Sequence, residues 1–407
     1  MDILLISRCP PFPVYHGDRL IPHYLVRELS SRRHLIDLLA FYQQPEDLAD
    51  VPRYEQMFRS VTLIPEPPRS TWSYLNRQNT PRRRFPTRAS ESWSPEMWHA
   101  IEMALETVRY DVVQLFGGVH VYEYLHLVES LPNLIVPYES YSLWMERAVQ
   151  EANGPFERMA KQMQLRMARN FESWMFEPYE RTVVLTDHDA DALRALNPHT
   201  ATITIPNGVD ADYFQGTGHE PGEPNLMFIG NYDYAPNLDA ALRLVRDLFP
   251  RIKQSVPKAR LFLVGGNPPP ELHACANEDI IVTGRVPDLR PYFEMALIFL
   301  SPLRLGAGIK NKVLEAMAAE TPVVATPLSC DGIPVENGQH VLLGQSDEEL
   351  VRAVFQLMRT PQLRQQLRRN GRALIKRYFT WERVADRYEE LYEQVIGEHR
   401  ARGGERF

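Results

Sequence analysis

The sequence has few cysteines and no long apolar run, and both absences restrict the kind of protein it can encode. Only three cysteines occur among 407 residues, Cys9, Cys275 and Cys330, and their spacing is not that of a zinc site. We therefore expect no disulfide framework and a reducing compartment. No stretch approaches the roughly 20 apolar residues that cross a bilayer. The start, Met1–Ser7, is too short and too acidic for a secretion signal. These features predict a cytoplasmic protein, at most peripheral at the inner face of the membrane.

The sequence also has no excess of positive charge. Its formal net charge is −7, which argues against nucleic acid as a partner. One local exception is the basic stretch Arg77–Arg88, which reads RQNTPRRRFPTR. It can contact anionic lipid or a phosphorylated acceptor. A second interpretation is a solvated mobile loop, and the prolines and polar residues of the stretch favour this one.

Several familiar catalytic motifs are missing. There is no Gly-x-Ser-x-Gly elbow and no Walker loop. The first apolar run leads into Pro10-Pro11 rather than a Gly-x-Gly-x-x-Gly turn, which counts against a dinucleotide oxidoreductase. The acidic run Asp187–Asp191 could suggest a metal site. Because it directly follows the apolar run Val183–Thr186, it better fits the N-terminus of a helix. We expect no metal and no cofactor.

The length exceeds that of one α/β core, so two domains are expected. Short apolar runs alternate with longer amphipathic ones, which indicates βαβ units and parallel sheets. The strands predicted in the first half are Ile3–Ser7, Ile36–Phe41, Val61–Ile64, Val112–Phe116, Leu134–Tyr138 and Val183–Thr186. Those predicted in the second half are Leu226–Gly230, Leu261–Gly265, Ile280–Thr283, Leu297–Pro302 and Val323–Thr326. The predicted fold is α/β, with two doubly wound, Rossmann-like parallel-sheet domains facing a cleft.

Composition places the domain boundary near residue 206. The segment Thr202–Asp210 contains Pro-Asn-Gly, and a polar stretch rich in glycine and proline continues to Pro224. We predict a first domain over residues 1–206 and a second over residues 207–378. Two long helical segments are also predicted: Leu143–Glu177, interrupted at Gly154-Pro155, and Glu348–Val395, which carries one apolar stripe.

The most informative segment runs from Leu300 to Ala318, where an apolar run ends and a helix is predicted to begin near Asn311. Gly306 and Gly308 lie in the connecting loop, and glycine lets backbone amides approach a ligand closely. A helix N-terminus adds N–H groups that no helical carbonyl accepts, and the positive end of the helix dipole. The pattern predicts an anion site at this strand-to-helix junction.

Charged residues surround the same junction. Arg304, Lys310 and Lys312 supply positive charge that suits a diphosphate. Glu315 lies one turn inside the predicted helix, where its carboxylate can accept two hydrogen bonds from vicinal hydroxyls, as on a ribose. A second interpretation stays open, because Gly-x-Gly turns are common after strands and these cations can be ordinary surface charges.

Six segments together carry a family resemblance. They are Pro11–Arg19, Ile205–Asp210, Phe228–Ala240, Thr283–Asp288, Gly308–Ala325 and Phe379–Glu382. They resemble the retaining glycosyltransferases called group 1 or family four. The first segment is similar to the opening loop of a bacterial branch tied to exopolysaccharide and surface glycans. The resemblance covers nearly all of the second domain and parts of the first.

The resemblance implies a GT-B protein that moves a sugar from a nucleoside diphosphate sugar to a hydroxyl acceptor with retention at the anomeric carbon. The acceptor would be a glycan, a lipid-linked molecule or a small molecule, and no metal is implied. Residues 379–407 would return to complete the first domain. In this family, Glu315 would hold the ribose, Arg304 and Lys310 the leaving diphosphate, and Gly17 would let the opening loop approach the phosphates. The main chain at Arg285 and Val286 would meet the base. The remaining implied donor-binding residues are Gly230, Asn231, Gly306, Gly308, Ile309 and Asn311.

The sequence departs from the family at three points. Ala307 stands eight positions before Glu315, where the family often has an acidic residue, and Gly230–Tyr234 lacks the usual basic pair. Glu139 stands where a histidine often ends the strand. Glu139 could position an acceptor hydroxyl or the donor sugar, or it could cap or pair locally. Two alternative functions stay open: a GT-B epimerase or phosphorylase, and a non-catalytic nucleotide-sugar-binding subunit, which Ala307 favours.

Overall fold

The computed structural model describes residues 1–14, 17–54, 56–80, 84–152 and 154–403. The chain forms two compact units. The first comprises Met1–Pro206 together with Val384–Phe407, and the second comprises Asn207–Arg383. Each unit has its own parallel sheet. Among the described residues, no helix is both long enough and apolar enough to cross a membrane.

The first unit contains a seven-stranded parallel sheet in the order β3-β2-β1-β4-β5-β6-β7. Its strands are β1 Asp2–Ser7, β2 Leu35–Tyr42, β3 Ser60–Pro65, β4 Val112–Phe116, β5 Asn133–Tyr138, β6 Arg181–Val184 and β7 Thr202–Thr204. Ile3 of β1 pairs with Ile36 on one side and Val112 on the other. Helices cover both faces, so central strands such as β1 are apolar almost throughout. The six strands predicted in this half are confirmed to within two residues at each end.

Ten helices accompany this sheet in the described residues. They are α1 Gly17–Ser31, α2 Glu46–Ala49, α3 Val51–Tyr54, α4 Thr71–Asn79, α5 Pro95–Thr107, α6 Leu125–Val128, α7 Tyr141–Gln150, α8 Pro155–Met175, α9 Asp187–Leu196 and α17 Trp381–Ala401, whose first residues belong to the second unit. Short 3-10 turns lie at Ala89–Glu91, Gly118–His120 and Tyr122–Tyr124. His120, which follows β4, ends the first of the last two turns. At Asp187 the predicted helix start is confirmed: the Thr186 side chain accepts a hydrogen bond from the Asp189 amide.

The first residues of the basic stretch Arg77–Arg88 do not form the solvated loop that its composition favoured. Arg77 belongs to α4, is buried, and lies 2.6 Å from the buried carboxylate of Glu123. Its guanidinium also stacks 4.0 Å from the ring centroid of Trp93. A buried carboxylate is costly without a cation, so Glu123 explains why this arginine is drawn inside. Residues 81–83 of the stretch lie outside the described residues.

The second unit contains a six-stranded parallel sheet in the order β10-β9-β8-β11-β12-β13. Its strands are β8 Asn225–Ile229, β9 Arg260–Val264, β10 Ile280–Val282, β11 Ile298–Ser301, β12 Val323–Ala325 and β13 Leu342–Leu343. The first five were predicted and are confirmed. Chain order reverses between β8 and β11, and in such sheets ligands bind at the carboxyl ends of the strands that flank this point.

The helices of the second unit are α10 Ala235–Arg243, α11 Phe249–Ser255, α12 Pro270–His273, α13 Arg290–Met295, α14 Asn311–Ala318, α15 Asp347–Arg359 and α16 Pro361–Tyr378. A π-type turn, Leu244–Leu248, joins α10 to α11, and a 3-10 turn spans Pro327–Cys330. The helical segment predicted from Glu348 onwards is confirmed but divides into α15, α16 and α17. The first break comes at Pro361, because proline has no N–H for the helical ladder.

Candidate functional site

Loops that follow neighbouring strands meet at the carboxyl edge of the second sheet. The Gly230 amide, after β8, donates to the Val264 carbonyl of β9 over 3.0 Å. The Gly265 amide, after β9, donates to the Gly284 carbonyl beyond β10 over 3.2 Å. These contacts hold the loops after β8, β9 and β10 in one layer beside the point where strand order reverses. We call this region the carboxyl edge.

Glycine is required where two of these loops touch. Gly265 has a φ of +140°, and a Cβ there would stand only 2.0 Å from the Gly230 carbonyl oxygen. A Cβ on Gly230 would stand 2.9 Å from the Cβ of Asn237 in α10. Any side chain at either position would push the loops apart. The predicted donor-binding residue Gly230 therefore has a packing role as well.

Asn231 and Arg285 lie close to each other at this edge. Asn231 Oδ1 and Arg285 Nε each lie 3.7 Å from the point where a Cβ on Gly266 would stand. Asn231 also accepts, through its carbonyl, a 2.8 Å hydrogen bond from the Asn237 side chain. Arg285 is exposed and Val286 is half-buried, both just beyond β10. Two positions predicted from separate motifs are thus neighbours in the folded unit.

Arg304, just beyond β11, is held by an acid of α10. Its Nε lies 2.9 Å from Asp239 Oδ2 and its Nη2 lies 2.7 Å from Asp239 Oδ1, a two-point ion pair. The Arg304 side chain remains about half exposed. The sequence placed this cation at the site but gave no sign that an acid 65 residues earlier would partly neutralise it.

Lys310 is buried and closes the glycine loop. Its ammonium group donates to the Ala307 carbonyl over 2.7 Å and also to the Gly308 carbonyl. A Cβ on Gly306, where φ is +111°, would stand 3.6 Å from the Lys310 Cε. The buried Ile309 completes this loop. The ammonium charge of Lys310 is therefore fixed directly before the first turn of α14.

The first residue of α14 is tied to the segment that links the two sheets. Asn311 accepts, through its side-chain oxygen, a 2.8 Å hydrogen bond from the buried Asn207 side chain. Asn207 belongs to the Pro-Asn-Gly sequence from which the boundary was predicted. The Asn207 contact and the preceding Lys310 loop therefore both help to fix the start of α14 within the second unit.

Lys312 and Glu315 lie on α14 with strongly perturbed pKa values. The Lys312 ammonium donates to the Asn237 side chain and lies 4.6 Å from the Phe228 ring centroid. Burial, helped by the nearby Lys310 charge, lowers the pKa of Lys312 to about 7. Burial raises the pKa of Glu315 to about 7, and the Lys312 charge opposes that rise. Groups perturbed in this way are concentrated at functional sites.

Asn237 and Asp239 were not identified from the sequence. Asn237 bonds both the loop after β8 and Lys312, while Asp239 holds Arg304. Both lie on α10, inside a segment that carried the family resemblance. Their helix positions were visible in the sequence. Their cationic partners, Lys312 and Arg304, lie more than 60 residues later and could not be paired with them from the sequence.

Two further predicted residues lie in the first unit. Gly17 begins α1, and Glu139, half-buried, directly follows β5. The Tyr138 hydroxyl donates to the Asp18 carbonyl over 2.9 Å, so the end of β5 and the start of α1 are in contact. Ser140, rather than Glu139, caps α7 by accepting from the Leu143 amide.

Part of the second unit matches a known family model. Residues 223–360 match the family model described as glycosyl transferases group 1. The phosphatidyl-myo-inositol mannosyltransferase of Mycobacterium leprae (strain TN) is 28% identical over 204 residues, which are 47% of this chain and 54% of that protein. The chain thus spans about half the length of the curated relatives it matches.

Several solved structures resemble the chain over almost its whole length. Sucrose-phosphate synthase from Thermosynechococcus elongatus has a TM-score of 0.72 at 17% identity, covering 98% of this chain and 99% of that one. Anabaena HepE in complex with UDP has a TM-score of 0.67 at 15% identity, covering 97% and 100%. These likenesses confirm the predicted fold class, two parallel-sheet α/β domains of the GT-B type.

Proposed function

We propose that this chain is a retaining glycosyltransferase, and the match of residues 223–360 to the model of glycosyl transferases group 1 supports this. It moves a sugar from a nucleoside diphosphate sugar to a hydroxyl of a glycan, a lipid-linked molecule or a small molecule. One observation carries the proposal. Lys310, Lys312 and Glu315 surround the first turn of α14, beside the reversal of strand order. That arrangement suits a ligand with both an anionic and a hydroxyl-bearing part.

The proposed donor contacts follow from the chemistry of each group. The first amides of α14 and the ammonium of Lys310 bind the diphosphate, and Arg304 adds charge when the phosphate competes with Asp239 for its guanidinium. Glu315 accepts hydrogen bonds from the two ribose hydroxyls. The main chain at Arg285 and Val286 contacts the base.

Catalysis in this proposal is electrostatic. As the bond to the anomeric carbon breaks, negative charge accumulates on the departing diphosphate, and the fixed cations stabilise it. The burial of Lys310 strengthens this interaction, because the surrounding dielectric is lower than that of water. These cations can supply the stabilisation that a divalent metal gives elsewhere, so we propose that transfer needs no metal. Glu139 is proposed to position an acceptor hydroxyl.

One observation favours the alternative of a binding protein without transferase activity. Arg304 is already paired at two points with Asp239, and Ala307 replaces the acid that often contacts the donor sugar in this family. A protein of this kind would bind the nucleotide without turning over the donor. Measurements of binding and of turnover therefore have to be made separately.

We also propose that the protein works in the cytoplasm and contacts the inner face of the membrane. Three apolar side chains on one side of α8 are exposed: Phe156 by 82%, Met159 by 63% and Met163 by 66%. The same part of the helix carries four basic residues and one acidic residue, Arg158, Lys161, Arg166, Arg169 and Glu157. An apolar strip with nearby positive charge suits the surface of an anionic bilayer.

The donor is identified by screening the full chain. Thermal shifts are measured with UDP, GDP, dTDP and ADP and with their glucose, galactose and mannose conjugates. A ligand present at 100 times its dissociation constant adds about 2.7 kcal/mol of stability. Glu315→Gln should weaken binding of the best nucleotide about tenfold or more by calorimetry. The exposed Glu278→Gln serves as the matched control.

Turnover is then measured with and without an acceptor, and with EDTA. Transfer or slow donor hydrolysis that survives EDTA, with the product retaining the donor's anomeric configuration, supports the proposal. Nucleotide binding without either reaction supports the non-catalytic alternative. Conversion of the donor sugar without an acceptor supports an epimerase, and formation of a sugar phosphate from a glycan only when inorganic phosphate is added supports a phosphorylase. A chain that binds none of these nucleotides contradicts the transferase and the nucleotide-sugar-binding alternative.

A further inference from the structure

A cavity with both polar and apolar lining residues lies in the first unit. It has a volume of about 440 Å³ and lies where β2 and β3 end. Its lining residues are Tyr42, Gln43, Pro65, Glu66, Pro67, Arg69, Tyr74 and His120. The volume is in the usual range for a small-molecule site, and carboxyl ends of parallel strands are where such sites form. None of these residues was predicted as a binding group.

Glu66 is the centre of the polar side of the cavity. Its Oε1 lies 2.9 Å from His120 Nδ1, and its other oxygen accepts from the Gln43 side chain. Arg69 lies 3.8 Å from the same carboxylate and donates over 2.9 Å to the His120 carbonyl. The Arg69 guanidinium also packs against the Trp93 ring, with Cζ 4.9 Å from the ring centroid. The network holds the polar atoms of the cavity in place before any ligand arrives.

The charges within the cavity balance. Burial works to raise the pKa of Glu66, but hydrogen bonds from His120 and Gln43 outweigh it and lower that pKa to about 2. Burial lowers the pKa of His120. Near neutral pH the cavity therefore holds one carboxylate, one guanidinium and a neutral imidazole. Because the Glu66 carboxylate and the Arg69 guanidinium offset each other, neither an anionic nor a cationic ligand gains net electrostatic attraction.

The remaining walls combine apolar surface with ring faces. Tyr42 and Tyr74 contribute aromatic rings, and Pro65 and Pro67 contribute aliphatic surface. A pyranose ring matches such a mixture, because it offers C–H faces to rings and hydroxyls to a carboxylate. We propose that this cavity is a binding subsite for a neutral sugar ring, with Glu66 accepting hydroxyl hydrogens and Arg69 and Gln43 donating to hydroxyl oxygens. If transfer occurs as proposed above, on which this step rests, the acceptor carries a neutral glycosyl residue.

The test measures binding to the full chain without any donor. Saturation-transfer NMR is recorded with the methyl glycosides of glucose, galactose, mannose and N-acetylglucosamine, and with glucose 6-phosphate as the charged comparison. We expect at least one neutral glycoside to bind. Glu66→Gln should weaken that binding about tenfold or more. Gln43→Trp, at an exposed rim position, should abolish it by filling the entrance.

The matched control is Glu129→Gln. Glu129 lies 2.9 Å from His126 Nδ1, the same distance as in the Glu66–His120 pair, but both residues are exposed on the surface. This variant should bind like the unaltered chain, and unfolding curves identify any variant that fails to fold. The inference is overturned if no neutral glycoside binds, if only the phosphate binds, or if folded Gln43→Trp binds normally. Glycoside binding without donor turnover would contradict the proposed function and leave the sugar subsite standing.

Discussion

The Arg304 guanidinium is bound at two points by the Asp239 carboxylate, with contacts of 2.9 and 2.7 Å. The pair joins the loop after β11 to α10 across the point where strand order reverses. About half of the Arg304 side chain is exposed, so water screens the pair and its net contribution to stability is about 0–1 kcal/mol. A diphosphate can therefore compete with Asp239 at little cost.

Because Asp239 and the diphosphate compete for Arg304, substitutions of Arg304 and of Asp239 should have opposite effects on nucleotide binding. Arg304→Ala should weaken binding of a nucleoside diphosphate about tenfold or more, because a charge-assisted hydrogen bond is lost. Asp239→Asn should strengthen it about two- to fivefold, because the competing carboxylate is removed. Both are measured by calorimetry at constant ionic strength. Equal losses in both variants would show that Asp239 orients Arg304 for the ligand instead of competing with it.

Lys310→Ala should slow sugar transfer by roughly ten- to a hundredfold, the effect expected when one charge-assisted contact to the leaving group disappears. The loss should appear in kcat as well as in kcat/KM, since the diphosphate gains charge only as the bond breaks. Lys253→Ala is the matched control, because this lysine pairs with Asp279 in the same unit but away from α14. Unaltered turnover of Lys310→Ala would remove this residue from the mechanism.

The sequence predicted the strands of both sheets well, because an apolar run between polar segments is a local pattern. The sequence also predicted that Glu315 lies one turn inside a helix, because spacing along the chain determines that position. Partners from distant segments could not be predicted. The Arg304–Asp239 pair joins residues 65 apart, and the Glu66–His120 pair joins residues 54 apart. Such pairs depend on strand order and side-chain packing, which a single sequence does not display.

The basic stretch shows a related failure. Polar composition predicts exposure, and for most of a surface loop that is right. Arg77 is buried because it forms an ion pair with the buried carboxylate of Glu123, 46 positions later in the sequence. A buried charge is understood only together with its partner.

Glu315 should make folding stability depend on pH. Burial raises its pKa to about 7 from an ordinary value of 4.5, so the folded chain holds this proton more tightly than the unfolded chain does. This contribution to stability is complete below pH 4.5 and is lost as the pH rises to about 7. Glutamine has no such proton. The unfolding free energy of Glu315→Gln, relative to the unaltered chain, should therefore increase from pH 5 to pH 8.

Urea unfolding at pH 5, 6.5 and 8 measures this difference. Lys312, whose lowered pKa has the opposite dependence, is present in both proteins, so comparing them removes most of its effect. Glu278→Gln, at an exposed position of the same unit, should show no such trend. A flat difference between Glu315→Gln and the unaltered chain would mean that Glu315 is well solvated.

Contact with a membrane should depend on the exposed strip of α8. Met159→Glu places a charge in that strip and should weaken binding to vesicles of mixed phosphatidylglycerol and phosphatidylcholine about tenfold, measured by co-sedimentation. Met103→Glu is the matched control, because Met103 is exposed to a similar degree (68%) on α5. Equal weakening by both substitutions, or equal binding to vesicles without phosphatidylglycerol, would argue against this strip as the anionic-membrane contact.

Gly208 should be a position where even one methyl group is costly. It lies in the Pro-Asn-Gly segment, and a Cβ there would stand 2.6 Å from Trp381 Cδ2. Trp381 is a buried, rigid ring that cannot yield as a flexible side chain would. Gly208→Ala should therefore lower the unfolding free energy by about 1–3 kcal/mol, the usual cost of overpacking. In Gly222→Ala the new methyl group meets nothing within 4 Å, so that variant should be as stable as the unaltered chain or slightly more stable. Chemical unfolding of the two variants side by side separates steric contact with Trp381 from the general effect of removing a glycine. If Gly208→Ala and Gly222→Ala lose the same stability, the loss comes from restricting the backbone and not from contact with the Trp381 ring.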